Sequence, residues 1–428
     1  MKKEKPTLQE TLVARQLRQP PAVIYPLLAN IWKLLFFKKL GVTVSYKADV
    51  KRMKGPFIVV SNHASRMDYI YTGIALLPHR LNYVAGYNEF FRSHLAAIFR
   101  LLQVIPKRNF VPDIYAVREI ARILKSGGKI MLFPEGMSSI SGANQPCAVG
   151  SGKLLKHFQV PVLMTKIAGG YLTSTKYCLD ERPGRVEVEV DILFTPEQLA
   201  AMSAEEIQKK LDEALYQDDY AWTKEKKNAY RGNGRLAHNM HTLLYRCPRC
   251  GVEFQMRGEG NVLRCMACGN GATLNEYYEL IPLDESCVLP ISPRAWLDEQ
   301  RAHVRNELLQ ENFLMRERVR VGVLPARTYL KAQATSEIAG EGELTLTRAG
   351  FHYRGTLRGE DFSFDIPPEN LPTFGMCTDV SRFYTFLDAE FLEFFPENET
   401  TEKWMLAVEE NHRLAGGKWQ VLYTQKEA

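Results

Sequence analysis

The chain has 428 residues, 45% of them hydrophobic and 24% charged, with a formal net charge of +6. That balance excludes a disordered or fibrous chain and suffices for two or three domains, each with its own core. The mild excess of cations favours anionic partners and leaves membrane surface, nucleic acid and phosphorylated substrate open.

Met1-Lys2-Lys3-Glu4-Lys5 is followed by polar residues, so no secretory signal is expected. The apolar run from Ala22 to Phe37 is interrupted by Pro26, Asn30 and Lys33. It falls short of the ~20 residues a spanning helix needs. With Trp32, Phe36 and Phe37 ahead of Lys38 and Lys39 it reads as a helix lying in a membrane interface; a helix packed on the domain core fits the same pattern.

Strand and helix signals then alternate to about residue 194. Strands are expected at Val42–Tyr46, Phe57–Val60, Lys129–Phe133, Val160–Ile167 and Arg185–Phe194, with helices at about 68–77, 88–102, 113–126 and 149–158. Alternation of this kind predicts an α/β domain around a largely parallel sheet, with a site at its strand ends. Capped helices after Thr195 and over 204–216 close the domain.

His63 and Asp68 lie in the run Ser61-Asn62-His63-Ala64-Ser65-Arg66-Met67-Asp68. An imidazole with a carboxylate can deprotonate a hydroxyl, the carboxylate steadying the imidazolium. On one helix the two side chains would diverge by about 140°, so they meet only if the chain breaks between them. The strand before His63 and the helix opening at Asp68 supply that break. Two further blocks follow: Val104-Ile105-Pro106-Lys107-Arg108-Asn109, and the strand leading into Pro134-Glu135-Gly136.

Asn-His-x4-Asp, an apolar strand ending in Arg, Phe-Pro-Glu-Gly and a Val-Pro-Val strand occur here in that order. In this the chain resembles the glycerolipid acyltransferase family of the lysophosphatidic acid acyltransferase type, over roughly residues 25–215. The resemblance implies transfer of a fatty acyl group from acyl-CoA or acyl carrier protein to a lipid hydroxyl in phospholipid biosynthesis. The acceptor would be a (lyso)phospholipid precursor such as 1-acylglycerol 3-phosphate. His63 would be the general base and Asp68 its orienting partner. Arg108, Glu135 and Gly136 would hold the acceptor, with Lys107 adding charge. Where the family continues with Thr-Arg-Ser, this chain has Met137-Ser138-Ser139, so one phosphate-binding Arg is absent and the acceptor stays open. The same resemblance implies a protein at the cytoplasmic face of a membrane, peripheral or monotopic.

Residues 223–246 carry Lys224, Lys226, Lys227, Arg231 and Arg235 among Asn and Gly and read as a basic linker, lipid-touching or simply solvated. Cys247-x-x-Cys250 and Cys265-x-x-Cys268, each followed by Gly, have the spacing of a tetrahedral zinc site. Four protein thiolates leave no open position, so a structural zinc ribbon is expected over 247–285. Disulfides are disfavoured without a secretion signal. Cys147, Cys178, Cys287 and Cys377 are scattered and read as buried thiols.

A long helix is expected from Arg294 to Arg318, within a helical connector at 286–340. From 341 the pattern turns to short strands (343–347, 351–354, 361–365, 383–386, 391–395) and a closing helix at 403–414. This β-rich domain, 341–428, is similar to pleckstrin-homology-like domains. The expected architecture is thus an α/β acyltransferase domain (1–222), a small zinc ribbon and a β-rich C-terminal domain with a closing helix. The other reading is a non-catalytic adaptor that binds lipid or protein through its C-terminal domains. Nucleic acid is unlikely as a partner, because no aromatic-basic surface motif accompanies the ribbon.

Overall fold

The computed structural model describes residues 5–419. The first sheet comprises β1 (Val42–Tyr46), β2 (Phe57–Ser61), β3 (Leu81–Gly86), β4 (Ile105–Lys107), β5 (Lys129–Leu132), β6 (Val162–Ala168) and β7 (Val186–Phe194), in the order β1-β7-β6-β2-β5-β3-β4. All neighbouring pairs are parallel except β6 with β7. The centre, β2, is buried at every position. Phe57 and Val59 join one hydrophobic cluster and Ile58 and Val60 another, as two-residue periodicity requires of a strand covered on both faces. Helices Asp68–Ala75, Ser93–Leu101, Ile114–Lys125 and Ser151–Phe158 connect the strands. A 3-10 turn, Tyr87–Phe91, precedes Ser93–Leu101, so the stretch expected as one helix is split.

The N-terminal apolar segment forms helix Ile24–Trp32, a π-helical turn Lys33–Phe37 and a short helix ending at Leu40. Tyr25 and Ala29 face inward, while Val23, Leu27, Ile31, Leu34 and Leu35 are exposed, Leu34 by 82%. Among the described residues no helix is long and apolar enough to cross a membrane.

The second sheet, β8 (Met256–Glu259), β9 (Val262–Cys265), β10 (Gly271–Leu274) and β11 (Leu280–Pro282), is an antiparallel ribbon. Within 223–246, Tyr230, Leu236, Met240, Leu244 and Tyr245 are buried, so this basic stretch packs closely. Tyr278 of the ribbon donates to the Leu172 carbonyl (3.1 Å) and accepts from Arg182 (2.8 Å), whose side chain is wholly buried.

The long helix ends at Leu308, short of the expected Arg318. Met315–Val323 is instead a strand, β12, because Val319, Val321 and Val323 alternate with Arg318 and Arg320 and so present one apolar face. It belongs to the C-terminal sheet with β13 (Glu337–Thr347), β14 (Gly350–Leu357), β15 (Glu360–Ile366), β16 (Gly375–Met376), β17 (Phe383–Leu387) and β18 (Glu390–Pro396). The order is β15-β14-β13-β12-β18-β17-β16, antiparallel throughout. Helix Thr401–Leu414 closes it and is buried on all sides as far as His412. Trp404 packs on Phe351 and Phe383 of the sheet, whereas Glu402, Met405 and Leu406 line a small cavity with Ile140 and Ser141 of the first domain. The C-terminal half therefore leans on the loop that follows Pro134-Glu135-Gly136.

Candidate active site

β2 and β5 are hydrogen-bonded neighbours, so the turns after their C-terminal ends lie side by side. Asn62, at the first of these ends, exchanges two hydrogen bonds with the Ile167 backbone (2.8 and 2.7 Å), fixing where His63 begins. His63 Nδ1 lies 2.9 Å from Asp68 Oδ2. Asp68, fully buried, also accepts from the Ser65 N–H (2.8 Å) and the Ser65 hydroxyl (3.0 Å). With Nδ1–H donating to the carboxylate, Nε2 keeps its lone pair for an incoming proton. The ring stacks on Phe133 at 4.4 Å, and the side chain is 22% exposed. The structure thus brings His63 and Asp68 together across the strand-to-helix break.

Glu135 is fully buried, and both carboxylate oxygens are engaged by this chain. Oε1 accepts from the His63 N–H (2.7 Å) and from Asn144; Oε2 accepts from the Gln145 N–H (2.8 Å). Burial drives its carboxyl up to about 8 against the opposing pull of these donors. The loop closes in the other direction as well, since the Ser139 N–H donates to the His63 carbonyl at 2.7 Å. Gly136 has φ +80°, a left-handed turn in which a side chain would be strained and would press on the Phe110 ring.

Arg108 lies one residue beyond β4, its guanidinium 4.8 Å from the centre of the Tyr87 ring. The Arg108 N–H is held by Asp113 (2.8 Å), and Asn109 donates to the Gly136 carbonyl (2.8 Å). The Lys107 ammonium donates to the Arg108 carbonyl (2.9 Å), and burial lowers its pKa. Phe386 of β17 packs edge-on against the other partner in this group, Tyr87.

Three polar residues beside His63 gave no sequence signal. Asn144, Gln217 and Asp219 line a small cavity with His63. Asp219 accepts from the Gly169 and Tyr171 N–H groups, both at 2.8 Å, and burial raises its carboxyl to about 7. Their spacing from His63 follows no linear pattern, because the loop after β5 and the helix Asp219–Lys226 converge only in three dimensions.

Residues 41–166 match the acyltransferase family. The matched segment includes His63, Asp68, Lys107, Arg108, Glu135 and Gly136. Over 113 residues the chain is 24% identical to a 1-acyl-sn-glycerol-3-phosphate acyltransferase of Bacillus subtilis (strain 168), an alignment covering 26% of this chain. The chain spans 56% of the length of that relative. It is also similar to the crystal structure of the 1-acyl-sn-glycerophosphate (LPA) acyltransferase PlsC from Thermotoga maritima. There the identity is 23%, with 47% of this chain and 80% of that one covered and a TM-score of 0.40.

Away from the matched segment, the sulfurs of Cys247, Cys250, Cys265 and Cys268 all lie within 4.8 Å of one another. Cys247 and Cys268 are 3.7 Å apart, Cys250 and Cys265 3.8 Å. A tetrahedral ion with Zn–S bonds of about 2.3 Å requires sulfurs about 3.8 Å apart, so this cluster could hold a metal ion. Gly251 and Gly269 take φ of +75° and +77°, which turns each Cys-x-x-Cys back on itself.

Proposed function

We propose that this protein is an O-acyltransferase that moves a fatty acyl group from a thioester donor, acyl-CoA or acyl carrier protein, to a hydroxyl of a lipid precursor. The observation that carries this reading is the His63–Asp68 contact of 2.9 Å within a segment that matches the acyltransferase family. His63 Nε2 takes the proton of the acceptor hydroxyl as its oxygen attacks the thioester carbonyl. The C–S bond breaks, and the imidazolium returns the proton to the departing thiolate. Asp68 holds the ring and offsets its charge; no covalent acyl-enzyme is needed. Glu135 acts through backbone, keeping the His63 turn in place, and Gly136 lets the loop approach Phe110. Arg108 and Lys107 bind the acceptor, the planar guanidinium suiting a phosphate. A relative bearing the name 1-acyl-sn-glycerol-3-phosphate acyltransferase makes a phosphorylated monoacyl acceptor the first to try.

The exposed row Val23, Leu27, Ile31, Leu34 and Leu35, beside Lys33, Lys38 and Lys39, supports peripheral seating in a membrane surface, apolar face down. The four cysteines hold a structural zinc. The β-rich C-terminal domain with its closing helix is read as pleckstrin-homology-like.

Purified protein given labelled palmitoyl-CoA or palmitoyl-acyl carrier protein, with lysophosphatidic acid, glycerol 3-phosphate and monoacylglycerol as acceptors, tests the reading. Turnover that disappears in His63→Ala is expected. Turnover surviving at the wild-type rate would overturn the mechanism, and no turnover with any pair would return the protein to an adaptor role.

A further inference from the structure

We propose that Lys176 receives the phosphate end of the acceptor, acting from the segment after β6 on the turn Gly136–Ser139. The proposal rests on the acyl-transfer reading above and names a phosphomonoester as the acceptor class.

Lys176 is only 5% exposed, and its ammonium donates to the Ser138 hydroxyl at 3.2 Å. Among the described residues it forms no ion pair. An ammonium has three donors, and one of them is in use. A buried cation left in this state is costly unless an anion completes it.

Four acidic groups influence it: Cys377, Asp379, Glu89 and Glu402. None cancels its charge by contact. Glu89 is paired with Arg92 (2.9 Å) and Asp379 with Arg382 (3.2 Å). Burial raises the Glu402 carboxyl to about 8 and the Cys377 thiol well above its usual value, so both are largely neutral at pH 7. Burial also lowers Lys176 to about 8, which still leaves most molecules protonated at pH 7.

The turn that Lys176 contacts is the one that adjoins the proposed base. Ser139, next to Ser138, donates to the His63 carbonyl, and the carbonyl of Gly136 accepts from Asn109, next to Arg108. One four-residue turn therefore touches the base, the Arg108 segment and a second buried cation. A ligand with a hydroxyl for His63 and a dianion for Lys176 would span this turn. Cys377 and Asp379 come from the connection between β16 and β17, so the C-terminal domain contributes to the electrostatic surroundings of the lysine.

The phosphomonoester could belong to a monoacyl lipid or to a small phosphorylated alcohol, and two ligands separate these sources. Calorimetry would measure lysophosphatidic acid and glycerol 3-phosphate binding to full-length His63→Ala, with and without Lys176→Met. Removing Lys176 should weaken every phosphomonoester that binds by about 10- to 100-fold, the range for a charge-assisted contact, and Lys176→Arg should restore most of it. Monoacylglycerol affinity should not move. In the active protein, Lys176→Met should raise KM for the phosphorylated acceptor by the same factor with little change in kcat. Equal phosphomonoester affinity with and without Lys176 overturns the proposal. If Lys176→Met does not melt cooperatively, Ser138→Asp replaces it: Ser138 is only partly buried, and an unchanged phosphate affinity there overturns the proposal too. Lys176-dependent phosphate binding without any acyl transfer would sink the acyl-transfer reading and leave the anion site standing.

Discussion

The backbone N–H of His63 donates to the Glu135 carboxylate at 2.7 Å, joining two motifs separated by 72 residues. In the proposed mechanism Glu135 is a positioning residue, and its three donors come from the turn and loop around His63. In Glu135→Gln one amide N–H must face a backbone N–H. A loss of about 1–3 kcal/mol in stability is expected, read by denaturant melting. Transfer should fall because a shift of the base by about 1 Å can cost on the order of 100-fold in rate.

His63→Ala should lower transfer by about 100- to 10,000-fold while leaving the melting curve close to wild type. Asp68→Asn should cost a similar factor, since the amide can donate to Nδ1 and favour the wrong tautomer. A kcat unchanged in Asp68→Asn would show that ring orientation is set by Phe133 stacking alone.

Glu402 is buried between the closing helix and the loop after Pro134-Glu135-Gly136, and among the described residues its Oε2 has no hydrogen-bond partner. Its folded pKa of about 8 lies above the ordinary carboxyl value, so the folded state binds the extra proton between pH 4.5 and 8. Its contribution to stability is therefore full below pH 4.5 and is lost as pH rises through 8. Glu402→Gln cannot ionise. Its melting temperature should gain on wild type as pH is raised from 5 to 8.5, and a constant offset over that range would contradict the assignment.

The four-cysteine cluster should carry zinc, removable by a strong chelator. Cys265→Ser should abolish it, as metal analysis would show. Because Tyr278 of the ribbon donates to Leu172 in the α/β domain, chelation should also lower the melting temperature of that domain. An unaltered melting curve after complete zinc removal would mean that the ribbon folds on its packing.

Leu34→Asp alters a side chain that is 82% exposed, so folding should be unaffected. Binding to anionic vesicles should weaken by about tenfold or more, the equivalent of one buried leucine. Vesicle sedimentation would decide; equal pelleting of the two proteins would remove this face from the membrane reading.

Much of the catalytic half was legible in the sequence because its signals are local. The strand before His63 and the helix after Asp68 both declare themselves by periodicity, and their break is what lets the two side chains meet. The C-terminal half was less so. Met315–Val323 alternates, yet it follows a true amphipathic helix so closely that the helical reading ran on through it. Lys176 was invisible. A single lysine in a run of Thr, Ser and Tyr has no spacing to betray it, and it reaches Ser138 from 38 residues downstream. The motif marks Glu135, but nothing in it says that the two oxygens take up the His63 and Gln145 N–H groups and the Asn144 amide.

The adjacency of β2 and β5 has a consequence for how such a chain can change. Between Asp68 and Lys129 the chain runs outward through β3 and β4 and then returns to place β5 beside β2. The distance from base to glutamate is therefore set by one strand spacing, about 4.8 Å, and not by the length of what intervenes. Helices and loops within that excursion are open to insertion and exchange, which would redraw the surroundings of His63 without moving it away from Glu135.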